Sequence, residues 1–537
     1  MTMQEEITLT PKDIEEHLWS QDGLHFAHPL TPLFASYMIP AMTEGTRLAM
    51  GRLKAPMRQF ICKVHEGYFY QAVVPAEGDP ETIQKEHQAV LRDLMNDQHQ
   101  RMMVVVKETL LPLHQELDQM AQAPLSVPEA VRALQRVKEI YHVFWDIHFA
   151  VVLPRMAAGF AFEEVFAKAF PDRPSTDAYT LLLGTMNRSL ESDRELWRLA
   201  EEAKQFPWVY AAFSADDVVG ALKASAEGTQ LLEQLGQFLQ VYGWRTVHSH
   251  EFVNETWIEN PEYALTVIKT YLAEGFHFDK HWDEVVRTRT QRMQDALSEI
   301  PDPNLRAKFQ ALHEGALNAW PIDEDHHFYI DAMLPAKTRP VMLRIGELLV
   351  DQGNLEHRDD VFFLYQDELL NLLTQDASVG VSRLVPLRRQ QYQEQITKTP
   401  VPQFGTPPAG EPDLVMVRVF GGGSPSLDGT SREVRGFAAS PGRYVGTVRI
   451  VRGPEEFFKV EPGDVLVCRT TAPSWTGLFA TVGAVITETG GILSHAATVA
   501  REYGIPCVVG TRNATQVFHD GDRVRVDGSE GSASIDD

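Results

Sequence analysis

Cysteine is almost missing from this 537-residue chain. Cys62, Cys468 and Cys507 are odd in number and far apart, which excludes a disulfide framework and a four-thiolate metal site. Basic side chains are outnumbered, 49 Lys and Arg against 74 Asp and Glu, so the formal charge is −25. A chain so acidic cannot neutralise a run of phosphates, and neither nucleic acid nor an anionic membrane is an expected partner. No apolar run reaches the roughly 18 residues that a spanning helix needs. The start, MTMQEEITLTPKDIEEH, has no apolar core of signal-peptide type. Also missing are a GxxxxGK[ST] phosphate loop and, in residues 1–395, a Gly-rich loop with acidic Mg²⁺ ligands. What remains is ordinary for a soluble cytoplasmic protein of about two to four domains, with 44% hydrophobic and 23% charged residues.

The first 395 residues read as mostly helical. MQDALSEIPDPNLRAKFQALHEGALNAW, RPVMLRIGELLVDQG and DDVFFLYQDELLNLLTQ carry apolar residues three and four apart. In the second, Met342, Ile345, Leu348 and Leu349 share a face and Gly353 is a plausible stop. Acidic outer faces of these helices hold most of the charge. Residues 436–537 carry nine basic and twelve acidic side chains, so −22 of the −25 precedes them. Between 396 and 433 proline and glycine are dense and no helical period survives, which predicts a linker, with a short strand at LVMVRVF (414–420). From 434 the chain turns to short β units, RYVGTVRIVR, GDVLVCRT, GAVITET, CVVGT and DRVRVDG, with one helix, SHAATVAREYG. The fold class is therefore multidomain, a large mostly α-helical part followed by a small α+β domain over 434–537.

The chemistry concentrates in TETGGILSHAATVAREYGIPCVVG, residues 487–510. An apolar strand ends there, Gly490 and Gly491 make a turn, and a helix opens with Ser494 as N-cap and Gly504 past its end. His495 then sits in the first helical turn, beside unpaired N–H groups and the positive end of the dipole, a place that stabilises a phosphoryl group on its imidazole. The paired glycines allow close approach of a donor or acceptor. Arg501 offers a cation, or a structural contact. Residues 471–500 hold a single charged side chain, Glu488, where a 23% share would give about seven. They are domain core or include an apolar docking face, and the turn-like setting of Trp475 suits an exposed anchor.

GGILSHAATVAREYGIPCVVG resembles the phosphohistidine swivelling domain of phosphoenolpyruvate-utilising enzymes, the family of phosphoenolpyruvate synthase and pyruvate phosphate dikinase. TAPSWTGLF and GFAASPGRYVGTVRIV resemble its neighbouring segments; Leu493 stands where threonine is usual and Thr498 where an aliphatic is usual. The resemblance covers about 100 residues and implies that His495 is transiently phosphorylated on its outer ring nitrogen. FLQVYGWRTVHSHEF (238–252), RDDVFFLYQDEL (358–369), HEGYFYQAV (65–73) and LHFAHPLTPLFASYM (24–38) resemble the substrate domain of rifampin phosphotransferase. Residues 1–395 are then a helical substrate-binding domain. The missing phosphate loop implies that Mg²⁺ and ATP are bound by a separate ATP-grasp subunit, as in phenylphosphate synthase and the cresol phosphate synthases. The acceptor by that resemblance is a phenolic small molecule. A hydroxylated antibiotic, as for rifampin phosphotransferase, is the alternative acceptor, and a phosphohistidine signalling module is a third reading.

Several titratable groups fit an acceptor pocket in that domain. Arg245 could grip phosphoryl oxygens, and Glu251 could orient it or act as a base; an Arg–Glu structural pair reads equally well. His248 and His250 are two apart, so they share no helix face, and no metal site is expected. WPIDEDHHFYIDAML (320–334) places Asp325, His326 and His327 beside aromatic residues, suiting a base at an aryl pocket; an acidic helix start is the plain alternative. Either histidine could deprotonate a phenol, whose pKa near 10 is like that of tyrosine. Arg339 and Arg344 could neutralise phosphoryl charge, and His25 and His28 are further pocket candidates.

Overall fold

A computed structural model describes residues 2–246, 250–273, 275–375, 380–406, 418–419 and 432–536. Contacts gather the chain into two compact units: residues 1–159, 249–254 and 318–410 form one, and residues 160–248, 255–317 and 411–537 form the other. The helical residues 1–395 thus contribute to both, and the 434–537 domain packs within the second. Among the described residues no helix is long and apolar enough to cross a membrane.

The first unit is helical around a small sheet. The sheet was not foreseen in a region read as helix. Strands β1 (Trp19–Gln21), β2 (Met57–His65), β3 (Tyr68–Pro75) and β4 (Gln403–Phe404) lie in the order β2-β3-β1-β4. MRQFICKVH and YFYQAVVP are rich in aromatic and β-branched residues, and the Glu66–Gly67 turn between them has both φ positive, 47° and 81°. Strand β4 also corrects the expected linker. Tyr68 Oη donates to the Gln395 and Lys398 carbonyls and Tyr70 Oη to that of Val401, so the first residues after 396 are fastened to the sheet. The strand expected at 414–420 lies outside the described residues except for Arg418 and Val419.

Two long helices carry the site of this unit. One is Val127–Ala169, whose residues to 159 belong here. The other begins at Ile322–His326, passes through a π turn, His327–Ala332, and continues as Met333–Asp351. Met342, Ile345 and Leu349 are fully buried and Leu348 half-buried, the expected face, and Gly353 follows the helix at φ 74°.

In the second unit an eight-stranded sheet has the order β5-β12-β11-β7-β8-β9-β10-β6, with β5 Glu433–Arg435, β6 Phe437–Ser440, β7 Arg443–Ile450, β8 Val465–Cys468, β9 Ala484–Thr487, β10 Cys507–Val509, β11 Arg523–Asp527 and β12 Ser532–Ile535. Strands β7 to β10 run parallel, which explains why VLVC, AVIT and CVV are apolar without alternation: both faces are covered. One face holds Val448, Val465, Val467 and Ile486 over Phe518. The other packs on the helix His495–Tyr503 and continues into the helices Arg188–Lys204 and Glu262–Ala273 of the same unit.

This packing settles the uncharged stretch 471–500. Trp475 is not an exposed anchor: it is 4% exposed, set edge-on against Phe457 in a core that also holds Leu478, Phe479 and Ile268. Gly477 lies so close to Val267 that a β-carbon there would come within 2.4 Å of it. An apolar face does exist, and it is covered by helices of this chain.

Candidate functional site

The helix bearing His495 runs from His495 to Tyr503, with Ser494 at the N-cap position and Gly504 at φ 68° closing the other end. Ser494 makes no side-chain capping bond, so its hydroxyl is spare for another acceptor at this helix end among the described residues. Gly490, at φ 94°, turns the chain out of β9. The Gly491 N–H donates to the Val419 carbonyl (2.7 Å) and the Leu493 N–H to that of Arg418 (2.9 Å). Arg418 in turn pairs with the buried Glu163 (2.6 Å). The His495 ring is half-buried, edge-on to Phe479. Arg501 is buried with its guanidinium over Tyr179, 5.6 Å from the ring centre.

The rest of that helix is clamped by polar contacts. Tyr503 donates its hydroxyl to Asp193 (2.6 Å), Gly184 N–H donates to Glu502 (3.0 Å), and His281 bonds the Glu502 carbonyl (2.7 Å) while stacking on Tyr503. Burial pushes the Asp193 carboxyl up to about 7, against the pull of Tyr503, Arg245 and His495. Asp193 was missed in the sequence, because nothing local marks a mid-helix aspartate 302 residues before the histidine. Arg245 does lie among these groups: its Nε donates to the Tyr242 carbonyl (2.8 Å) and its guanidinium covers Trp257.

Glu251 belongs to the other unit and has other work. It accepts from Thr31 N–H (2.8 Å), Thr31 Oγ1 (2.7 Å) and its neighbour Phe252 N–H (2.6 Å). Burial raises it to about 7 despite those donors. Arg339, also buried, donates to the Phe252 and Val253 carbonyls and covers Phe362. Thr31, Glu251 and Arg339 thus fasten the 250–253 segment on both sides. Arg344 donates to the Ala121 and Ala123 carbonyls (2.8 and 2.6 Å), closing the end of the Leu111–Gln122 helix, so its cation is spent on a helix terminus.

The first unit brings histidines together around one carboxylate. Asp331 has its side chain 1% exposed. Around it lie His327 Nδ1 at 3.1 Å, His148 Nε2 at 3.4 Å, His326 Nε2 at 3.6 Å and His250 Nε2 at 3.7 Å. The π turn makes this possible. His326 and Asp331 are five residues apart, which an α-helix would splay by roughly 140°, whereas a turn with i→i+5 bonding brings them side by side. His250 reaches in through a left-handed backbone, φ 64°, a conformation histidine tolerates better than most residues. His248 lies outside the described residues. Burial depresses His326 to about 3 and also lowers His327, while the surrounding imidazoles overcome the burial of Asp331 and hold it well below the usual carboxylate range. Asp325 bonds His99 (2.7 Å).

His25 adjoins this cluster, 6.2 Å from His250 between ring centres. Its Nδ1 meets Asp22 Oδ2 at 2.8 Å, with Asp22 buried and the imidazole about one-third exposed. Burial alone would lower His25, but the Asp22 carboxylate outweighs it and the pKa rises. His28 is half-buried nearby in sequence. Asp22 and His148 were also missed, since each becomes significant only beside residues far away in the chain.

Comparison with known proteins finds similar families over both parts of the chain. Residues 460–531 match the PEP-utilising enzyme mobile domain, and residues 148–324 match the rifampicin phosphotransferase fourth domain. The chain is 36% identical over 532 residues to the uncharacterized phosphotransferase YvkC of Bacillus subtilis, covering 98% of this chain and 63% of that protein. It is 30% identical over 549 residues to chondramide synthase cmdD of Chondromyces crocatus, 96% of this chain and 14% of that one. With rifampicin phosphotransferase of Bacillus subtilis it shares 25% over 329 residues, 60% of this chain and 36% of that one. The chain thus spans less than two thirds of the length of these relatives. It carries a mobile domain of the PEP-utilising enzymes joined to a rifampicin phosphotransferase fourth domain, and is a relative of the rifampicin phosphotransferases.

Proposed function

We propose that this chain is the histidine-carrying, acceptor-binding part of an ATP-dependent phosphotransferase, whose ATP and Mg²⁺ are held by an ATP-grasp partner. The observation that carries the reading is His495 in the first turn of its helix, behind a glycine turn, inside a stretch matching the mobile domain. In the first step an imidazole nitrogen of His495 forms a bond to the β-phosphorus of ATP, the bond from that phosphorus to the oxygen shared with the α-phosphoryl breaks, and AMP leaves. Water then attacks the γ-phosphorus, the β–γ bridge breaks, and phosphate leaves the β-phosphoryl on the histidine. In the second step an acceptor oxygen attacks that phosphorus, the N–P bond breaks, and its electron pair returns to the imidazole. The N–H groups of the first helical turn and the positive end of the helix dipole face the phosphoryl charge.

The acceptor belongs at the histidine cluster of the first unit, and its hydroxyl proton goes to His25. A base serves best when its pKa lies near the working pH. His326, held at about 3, is too weak, whereas Asp22 orients His25 and raises it. The acceptor is a phenolic hydroxyl, for which Phe26 and Trp145, packed around His250, offer aromatic walls. The match of residues 148–324 favours a second acceptor, a hydroxyl of a rifampicin-like antibiotic. Offering phenol, 4-cresol and rifampicin to the chain with its ATP-grasp partner separates them. An aryl phosphate supports the first reading and a rifampicin phosphate the second. A phosphorylated protein that passes its label to none of them contradicts both.

A further inference from the structure

Asp331 is a buried carboxylate whose ionic partners among the described residues are all histidines. A buried charge persists when it is paired or bound to a metal. Three ligand atoms here, one each from His148, His326 and Asp331, lie within 4.8 Å of one another. Bonds of about 2.0–2.1 Å to a tetrahedral zinc ion hold ligand atoms roughly 3.3–3.4 Å apart. His148 Nε2 lies 3.4 Å from Asp331 Oδ1 and His326 Nε2 lies 3.6 Å from Asp331 Oδ2, each close to that spacing, so the carboxylate turns one oxygen to each ring. Both distances are long for hydrogen bonds.

The orientation of His326 points the same way. Its Nδ1 lies 2.7 Å from the Ile322 carbonyl and must donate to it, which leaves the lone pair on Nε2, the nitrogen that faces Asp331. An outer hydrogen bond that fixes the tautomer is the usual accompaniment of a metal-bound histidine. His327, whose Nδ1 is hydrogen-bonded to Asp331 Oδ2 at 3.1 Å, and His250, whose Nε2 is 3.7 Å from Oδ1, face the same carboxylate. The π turn adds a further sign, since such turns gather at functional sites and this one brings His326 and Asp331 onto one side.

We propose that His148, His326 and Asp331 bind a divalent first-row transition-metal ion of the zinc class. Two imidazoles and a carboxylate suit zinc or cobalt over magnesium or calcium, which prefer oxygen ligands. The site does not depend on phosphoryl transfer, because it is defined by binding alone. Its rival is a proton: an imidazolium beside Asp331 would balance the same charge without a metal.

The full chain, stripped with chelator and dialysed against Zn²⁺, should retain one equivalent by elemental analysis. With Co²⁺ it should show visible d–d absorption of a nitrogen- and oxygen-ligated ion. His148→Gln and His326→Gln should each weaken binding at least about tenfold, with helical circular dichroism unchanged, while His87→Gln, remote from the cluster, should bind as before. No retained metal, or metal that survives the double substitution in a folded chain, overturns the proposal in favour of the protonated cluster.

Discussion

Asp193 in the second unit and Asp331 in the first are carboxyls buried to a similar degree, 4% and 2% exposed, yet they are driven in opposite directions. Asp193 has a tyrosine hydroxyl as its hydrogen-bond donor, and burial wins, raising it to about 7. Asp331 has imidazoles around it, and they win over the same burial. Burial sets the size of the conflict, and the neighbouring groups decide its sign. The two surroundings also suit different tasks. A carboxyl that burial keeps partly protonated adds less charge beside a histidine meant to carry a phosphoryl group. A charged carboxylate among histidines is a place for cations and protons.

The sharpest way to break this division is to remove His495. His495→Asn should abolish turnover with an unchanged fold, because the ring is half-buried at a helix end and not part of the core. Residual product formation, measured with the partner present, would place the carrier elsewhere. Next in size is Trp475→Ala, which should cost about 4 kcal/mol in urea unfolding, since the indole is enclosed between the sheet domain and helices of the same unit. A cost below about 1 kcal/mol would mean that this face is open.

The carboxyl comparison itself is tested by pH. Asp193 is raised in the folded state, so the unfolded chain loses its proton first, and stability falls as pH rises from about 4 to about 7. His326 is lowered, so the unfolded chain gains a proton first, and stability falls as pH drops from about 6.5 to about 3. Unfolding midpoints across pH should therefore show a shallower first slope in Asp193→Asn and a shallower second slope in His326→Gln. Glu251, raised to about 7, keeps part of the first slope in both variants, and His114, lowered to about 3, keeps part of the second. Equal slopes in wild type and both variants would contradict the assignments. The smallest effect is expected for Arg344→Ala, about 1 kcal/mol of stability from two lost bonds at a helix end, with acceptor turnover unchanged. A large loss of turnover there would return Arg344 to the phosphoryl site.

Legibility in the sequence followed the same division. Everything around His495 is local: the apolar strand, two glycines, an N-cap serine and a closing glycine fall within 24 residues, and the structure builds them as strand, turn and helix. The cluster around Asp331 is assembled from residues 148, 250 and 326–331, with Asp22 and His25 alongside, so no window of sequence contains it. His326 and His327 stood out by density, but their partner Asp331 is in register only through a π turn, which no apolar period announces. The β2–β3 hairpin escaped although its strands run nine and eight residues, because helices precede and follow it and the whole region was read as helical. Trp475 was misjudged because a tryptophan between turn residues looks exposed until the helices that cover it are in place.

The central claim is that His495 carries the phosphoryl group, and mapping the label tests it most directly. The chain is incubated with Mg²⁺ and β-³²P-ATP, alone and with an ATP-grasp partner, and the acid-labile phosphopeptide is identified. Label on the peptide containing His495, appearing only with the partner and discharged by a hydroxyl acceptor, is the expected result. Label acquired by the chain alone would place a nucleotide site within it, and label on any other residue would contradict the assignment of the carrier.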